Sequence, residues 1–131
     1  MIIYRQEDVV LVNGNIPMTT GNLIINGESF KAASGGWDTK HQGFGPILAG
    51  LYEVTPATRL PDTPENQLYR GEAFPWYARL TPKFPTTHTG YLIHPKGKFK
   101  GTLGCIEVWD REPHFFEVLA NLKGSCTLKV I

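Results

Sequence analysis

Residues 22–34 read NLIINGESFKAAS, and this stretch gives the clearest indication of the fold. Two short strand-like runs flank the dipeptide Asn26-Gly27. That dipeptide suits a type I′ turn, because both central residues of the turn require positive φ. The stretch therefore predicts a β-hairpin that spans roughly residues 22–33.

The spacing of glycines and prolines in the rest of the chain also indicates β structure. Fourteen glycines and ten prolines occur at short intervals, and the segments between them are rich in β-branched and aromatic residues. Such segments favour strands. The polar stretch 56–71 reads as a surface loop. The runs that read as strands cover residues 2–12, 51–56, 74–81, 90–94, 104–109 and 126–131, with the first as an edge strand.

One helix is expected near the end of the sequence. Asp110 or Glu112 can cap it, Pro113 fits its first turn, and Gly124 stops it. Its apolar residues, Phe115, Phe116, Leu119 and Leu122, recur at roughly helical spacing. We therefore expect a mainly β fold, an antiparallel β-sandwich or partial barrel with one packed α-helix, and a single domain over residues 1–131.

Composition and charge argue against several classes of function. Thirteen Lys and Arg residues against 12 Asp and Glu give a formal net charge of +1, so we expect no nucleic-acid partner. No run approaches the ~20 apolar residues of a membrane helix, so we expect no membrane insertion. Arg5, Glu7 and Asp8 interrupt the apolar core that a Sec signal peptide would need. Two cysteines, Cys105 and Cys126, are too few for a disulfide framework.

A second stretch, GYLIHPKGKFKGTLGCIEV at residues 90–108, carries the candidate chemistry. His94 ends one apolar run and Cys105 begins the next, so two adjacent strand ends can place both side chains on one rim. A neighbouring base lowers the pKa of a cysteine and supplies thiolate at neutral pH. Gly104 leaves room for a substrate backbone, and the Cys105 amide can donate to a developing oxyanion. The pattern predicts acyl transfer, although on spacing alone a half-buried cysteine and a surface histidine explain it as well.

The segment IHPKGKFKGTLGCIEV resembles the active-site segment of L,D-transpeptidases of the YkuD type, which carry Ile-His, a loop, and then Ser/Thr-x-Gly-Cys. It looks most like the small type VI secretion effectors of that superfamily that attack peptidoglycan, in which this loop is also short. Two upstream segments resemble the family as well: NLIINGESFKAASGG, a strand-turn-strand ending in Ser-Gly, and GPILAGLYEV, a Gly-Pro-x-x-x-Gly-x-Tyr segment. The matches cover roughly residues 22–54 and 88–108.

The resemblance implies roles for individual residues. Cys105 matches the nucleophile and His94 the general base. Gly104 matches the glycine before the nucleophile, and Thr102 the Ser/Thr of the motif. Leu103 stands where the larger enzymes often carry a second histidine, a departure that leaves the pair of His94 and Cys105 intact.

The candidates for binding the substrate are Thr102, His88, Ser34 and Tyr91. His88-Thr89 stands where relatives tend to have Arg, so the motif does not define the group that holds the substrate carboxylate. His88 is also a candidate partner that orients His94. Ser34 lies in the segment NLIINGESFKAASGG, which resembles the family. Tyr91 belongs to a set of aromatic side chains that either line a groove or pack in the core.

The resemblance also implies the reaction and the partners. The substrate would be the tetrapeptide stem of peptidoglycan, and Cys105 would attack the carbonyl of its third residue while His94 protonates the departing D-alanine. Water as acceptor gives L,D-carboxypeptidase activity, and an amine acceptor gives L,D-transpeptidase exchange or crosslinking. No cofactor or metal is needed. Such an effector leaves its producer without a Sec signal, acts in the periplasm of a target bacterium and is matched by a cognate immunity protein.

Three alternatives stay open. A non-catalytic β module of a phage or secretion particle could bind cell-wall glycopeptide through its aromatic side chains. A disulfide between Cys105 and Cys126 would block the nucleophile. A zinc site from His88, His94 and Cys105 lacks the usual ligand spacing. The three lysines of the loop between His94 and Cys105 either are solvated or attract the carboxylates of a stem peptide.

Overall fold

The computed structural model of this 131-residue chain describes residues 1–12, 16–36, 45–87, 90–96, 105–122, 124 and 126–131. The strands are β1 (Ile2–Val12), β2 (Ile16–Ile25), β3 (Glu28–Gly35), β4 (Gly50–Val54), β5 (Thr58–Arg59), β6 (Trp76–Pro82), β7 (Tyr91–Pro95), β8 (Ile106–Val108) and β9 (Cys126–Val130). A 3₁₀ helix covers Pro64–Tyr69 and the helix α1 covers Glu112–Ala120. The predicted fold class, mainly β with one packed α-helix, is confirmed. In the described ranges no helix is long and apolar enough to cross a bilayer.

Eight of these strands close into a barrel. Their order is β4-β9-β1-β2-β3-β8-β7-β6, and the pairing of β6 with β4 completes the ring. The short strand β5 pairs with β6 beside the ring. Most pairs are antiparallel, whereas β1–β9 and β7–β8 are parallel. Because Ile3 and Tyr4 pair with both β2 and β9, the prediction that β1 is an edge strand is wrong for the start of that strand.

The hairpin of β2 and β3 forms where the sequence predicted it. Asn26 and Gly27 have φ values of 50° and 77°, as a type I′ turn requires. The turn sets a register in which Leu23 lies opposite Phe30. Because side chains alternate along a strand, this register directs both of them into the barrel, where both are fully buried.

The interior of the barrel is filled by the inward-facing residues of the strands. Large aromatic side chains dominate it, and Tyr4, Tyr52, Trp76 and Tyr91 are each at most 2% exposed. The rings of Tyr52 and Tyr91 meet edge to face, with 6.1 Å between centroids. The alternation therefore separates a packed interior from an outer face of the sheet.

The helix α1 packs against interior residues of the barrel. The ring of Phe115, which is fully buried, meets that of Phe30 edge to face at 5.1 Å between centroids. It also lies 6.1 Å from the ring of Trp76 in a stacked orientation. The helix therefore completes the core rather than lying on the outer face of the sheet.

The start of α1 differs from the prediction. Its N-cap is Arg111, which has a left-handed conformation with φ of 45° and forms no side-chain cap. The carboxylate of Asp110 instead accepts a hydrogen bond from the Lys31 amide at 3.1 Å. The carboxylate of Glu112 accepts one from the Trp76 indole. The prediction that Asp110 or Glu112 caps the helix is therefore wrong, because tertiary contacts engage both carboxylates.

Glu112 ties α1 to β6 and to the segment before β6. One of its oxygens accepts a hydrogen bond from Nε1 of Trp76 at 2.6 Å, and the other accepts one from the Glu72 amide at 2.7 Å. A side chain on Gly71 would overlap this carboxylate and displace it, so the glycine leaves room for the Glu112 carboxylate. Such charge-assisted bonds are the strong ones. The fully buried Trp76 indole thus finds its acceptor on the helix.

Glu112→Ala is expected to lower the free energy of unfolding by about 2–4 kcal/mol, because it removes the acceptor of a buried indole N–H. Glu112→Gln keeps an acceptor oxygen and should cost less. Urea denaturation measures both. Glu117→Ala, at an exposed position of the same helix, is the matched control and should cost less than about 0.5 kcal/mol. If the Glu112→Ala protein were as stable as the wild type, the hydrogen bonds of Glu112 to Trp76 and Glu72 would not stabilise the fold.

Candidate active site

The parallel pair β7–β8 places the candidate residues on one face of the sheet. In its register Ile93 lies beside Ile106 and His94 beside Glu107. Because the two isoleucines face the interior and are fully buried, alternation turns His94 and Glu107 to the outer face. Cys105 directly precedes β8, two residues before Glu107, and so shares that outer face. The register sets Cys105 level with Leu92 and not with His94, so the two residues do not lie at one shared strand end, and their direct contact stays a prediction.

Cys105 is a partly exposed thiol anchored to the neighbouring strand. Its sulfur accepts a hydrogen bond from the backbone of Leu92. Because Ile93 pairs with Ile106, Leu92 is the residue of β7 that lies level with Cys105. His94 follows Leu92 by two residues on the same face, so it is the diagonal neighbour of the thiol. Cys105 and Cys126 are both thiols, and no disulfide joins them.

A hydrogen bond to the backbone fixes the orientation of the His94 imidazole. Its side chain is 8% exposed, and its Nδ1 lies 2.7 Å from the carbonyl oxygen of Pro95. A carbonyl only accepts hydrogen bonds, so Nδ1 carries the proton and Nε2 is left with its lone pair. Burial lowers the pKa of His94, while the bond to Pro95 acts in the opposite direction. The imidazole is therefore neutral at pH 7 and able to take a proton.

Tyr69 covers this pair from outside the barrel. Its ring lies 5.6 Å from that of His94 and 5.5 Å from that of Tyr77, measured between centroids. Burial raises the pKa of Tyr69, and the charge of Cys105 raises it further. The sequence placed Tyr69 in a polar surface loop, whereas the 3₁₀ helix folds it onto the site. The only feature of the sequence that could have pointed to Tyr69 is its position as an aromatic residue near the end of the polar stretch 56–71.

The electrostatics of the thiol differ from the expectation. Burial is the largest influence on the Cys105 thiol, whose pKa is raised to about 11. The hydrogen bond from Leu92 acts to lower this pKa, and the charge of Glu107, the smallest of the three causes, acts to raise it. The sequence predicted that His94 would lower this pKa. Desolvation penalises the thiolate more than the surrounding groups stabilise it. The resting pair is therefore a neutral thiol beside a neutral imidazole.

Two other predicted site residues, Ser34 and Tyr91, do not share this face. Ser34 lies beside Ile106 in the β3–β8 pair, faces the interior, and accepts a hydrogen bond from the Ile47 amide at 2.8 Å. Tyr91 also faces the interior and is 2% exposed. Their contact with a substrate stays a prediction. Gly104, Thr102 and His88 lie outside the described residues.

The chemistry available on the outer face is that of a nucleophile with a base. Over the ranges that the structure describes, no three His, Cys, Asp or Glu side chains are placed to hold a metal ion. Comparison with protein-family models, with curated proteins and with solved structures finds no match to this chain.

The alkylation rate of Cys105 tests the charge state of the pair. In a Cys126→Ser background, reaction with iodoacetamide at pH 8 should be about 100-fold slower than that of an exposed thiol with a pKa near 8.5, because the thiolate fraction is lower. The rate should keep rising with pH up to about 10. A rate that levels off at or below pH 7 would instead indicate a thiolate–imidazolium pair. Glutathione serves as the exposed reference.

Proposed function

We propose that this protein is a cysteine acyl-transfer enzyme that acts on the tetrapeptide stems of peptidoglycan as an L,D-carboxypeptidase, an L,D-transpeptidase, or both. The observation that carries the proposal is the placement of Cys105 and His94 on one face of two adjacent strands. His94 is fixed there by its bond to the Pro95 carbonyl, which directs a basic nitrogen away from the backbone. A thiol with an oriented base is the arrangement that nucleophilic catalysis needs.

The mechanism proceeds from a neutral pair. His94 takes the thiol proton at Nε2 while the sulfur of Cys105 bonds to the carbonyl carbon of the third stem residue. The tetrahedral intermediate collapses when the imidazolium returns that proton to the departing amine of D-alanine, which leaves a thioester. Water or an amine then attacks the thioester, with His94 again as the base. The bond from Nδ1 to Pro95 supports the imidazolium in each step.

The substrate and the biological setting rest on the resemblance of residues 93–108 to peptidoglycan-targeting effectors. That resemblance supports a third-position diamino acid as acyl donor and D-alanine as leaving group. It also supports delivery without a Sec signal into the periplasm of a target bacterium, and a cognate immunity protein in the producer. These parts of the proposal are inferred by analogy and not from the fold.

Incubation with disaccharide-tetrapeptide, with and without D-methionine, tests the reaction. The wild type should remove one alanine or exchange it for methionine, as read from product masses. Cys105→Ala and His94→Gln should each lose about a thousandfold or more of this activity, because the two groups act as a unit. Cys126→Ala is the matched control, since it removes a thiol that lies outside the proposed site, and it should retain activity.

An unchanged tetrapeptide, with the protein folded, would favour the second candidate function. In that case the chain is a non-catalytic β module that binds cell-wall glycopeptide. The raised pKa of Cys105 is the observation in its favour, because buried cysteines of high pKa are often inert. Binding of intact peptidoglycan by both wild type and Cys105→Ala, with turnover by neither, would establish that alternative.

The pH dependence of turnover tests the role of His94. The base form is the active form, and burial lowers the pKa of His94 below the ordinary value of 6.5. kcat/KM should therefore be constant from pH 8 down to about 6.5 and should decline only at lower pH. The measurement is initial rate at low substrate concentration across this range. An acid limb centred above pH 6.5 would contradict a buried neutral base.

A further inference from the structure

Glu107 is a buried carboxylate beside the candidate pair. Its side chain is 1% exposed, although glutamate is rarely so buried unless its charge is accommodated. In the β7–β8 pair it lies directly beside His94. It follows Cys105 by two residues, so alternation places both side chains on the outer face. The roles assigned to Cys105 and His94 leave this acidic group unexplained.

Trp109 holds the carboxylate in place. Its indole Nε1 donates a hydrogen bond to Oε1 of Glu107 at 2.8 Å. Its backbone amide donates to the carbonyl of Lys31 at 2.7 Å, which fixes the position of the indole relative to β3. Nζ of Lys96 lies 5.0 Å from the centre of the indole ring, a distance at which a cation is attracted to the ring. Glu107 is thus positioned by a short chain of side chains.

Among the residues that the structure describes, titratable groups lie near Glu107 both on the outer face of the sheet and in the interior of the barrel. On the outer face these are His94 from β7 and Cys105 from the start of β8, whereas the β3 neighbour, Ala33, carries no charge. On the interior side Glu107 raises the pKa of Tyr4, although burial is the larger cause. Its charge also raises the pKa of Cys105, although burial and the opposing Leu92 hydrogen bond are both larger causes. The carboxylate therefore acts electrostatically on the group that must lose a proton.

We propose that Glu107 is a positioning residue of the Cys105–His94 pair, whose negative charge disfavours the thiolate at rest and stabilises the imidazolium that forms on His94 during acyl transfer. This inference rests on the proposed function for its catalytic part. Its electrostatic part concerns the resting protein and does not require turnover.

The charge balance of the first step explains why a carboxylate helps. The S–H bond of Cys105 breaks, the proton moves to Nε2 of His94, and the sulfur bonds to the substrate carbonyl carbon. A neutral pair thereby becomes an imidazolium and an oxyanion. Glu107 is paired with His94 in the β7–β8 register, so in this proposal its charge offsets the positive charge as it develops. Because Nδ1 is bonded to Pro95, the carboxylate acts through its field and not through that nitrogen.

Glu107→Gln and Glu107→Asp separate charge from shape. Glu107→Gln should lower kcat for the tetrapeptide about 10–100-fold, the range expected for losing one charged partner, with KM within about threefold. In the Cys126→Ser background it should also shift the pH profile of Cys105 alkylation to lower pH, so that the rate at pH 8 rises severalfold. Glu107→Asp keeps the charge and should stay close to wild type in both measurements.

A purely structural role makes a different prediction. It would lower kcat equally for the two variants, or would leave the alkylation profile unmoved, and either result would overturn the proposal. Matching far-UV circular dichroism and thermal midpoints exclude unfolding as the cause of faster alkylation. If Glu107→Gln does not fold, Trp109→Phe provides the second variant. It keeps the charge of Glu107, removes the indole hydrogen bond to Oε1, and should lower kcat severalfold.

The two proposals fail in distinguishable ways. A wild-type protein that does not turn over the tetrapeptide refutes the proposed function, whatever Glu107 does. The alkylation profiles of Glu107→Gln and Glu107→Asp then decide the electrostatic part alone. Superimposable profiles for wild type and Glu107→Gln refute the inference about Glu107 even if the enzyme is active.

Discussion

The parallel pairing of β7 with β8 is the constraint on which the candidate site depends. Because Ile93 lies beside Ile106, both isoleucines fill the interior, and alternation sends His94 and Glu107 to the outer face. A slip of one residue would turn the isoleucines outward and bury the polar side chains in the core. The packing of the barrel thus sets the geometry of the site as firmly as it sets the fold.

The burial that accompanies this packing also sets the charge state of the site. It lowers the pKa of His94 and raises that of Cys105 to about 11, so the resting pair carries no charge. Neutral partners can still exchange a proton during a reaction, as a hydroxyl and an imidazole do in hydrolases. Acyl transfer from such a pair depends on groups that stabilise charge as it develops. In the proposed mechanism, the Pro95 carbonyl and the Glu107 carboxylate provide that stabilisation.

Two buried carboxylates of this chain use the same interaction in different surroundings. Glu112 accepts a hydrogen bond from the Trp76 indole, and Glu107 accepts one from the Trp109 indole. Glu112 lies between the helix and the core, so its hydrogen bonds join elements of the fold. Glu107 is paired with His94 in the β7–β8 register and follows Cys105 by two residues, so in the proposed mechanism its charge acts on the groups that exchange a proton. Location in the barrel therefore distinguishes a structural carboxylate from one suited to a reaction.

The sequence by itself determined the elements and the candidate pair. Turn chemistry, β-branched and aromatic composition and helical spacing predicted the hairpin, most of the strands and the helix. The Ile-His and Gly-Cys motifs identified His94 and Cys105, because these are local properties of the chain. The tertiary structure alone decided the surroundings of that pair. It folded Tyr69 from a polar stretch onto the site, turned Ser34 and Tyr91 to the interior, and reversed the expected direction of the thiol pKa. Each of these depends on which distant strands pair and what they bury, and a local pattern does not specify its partner.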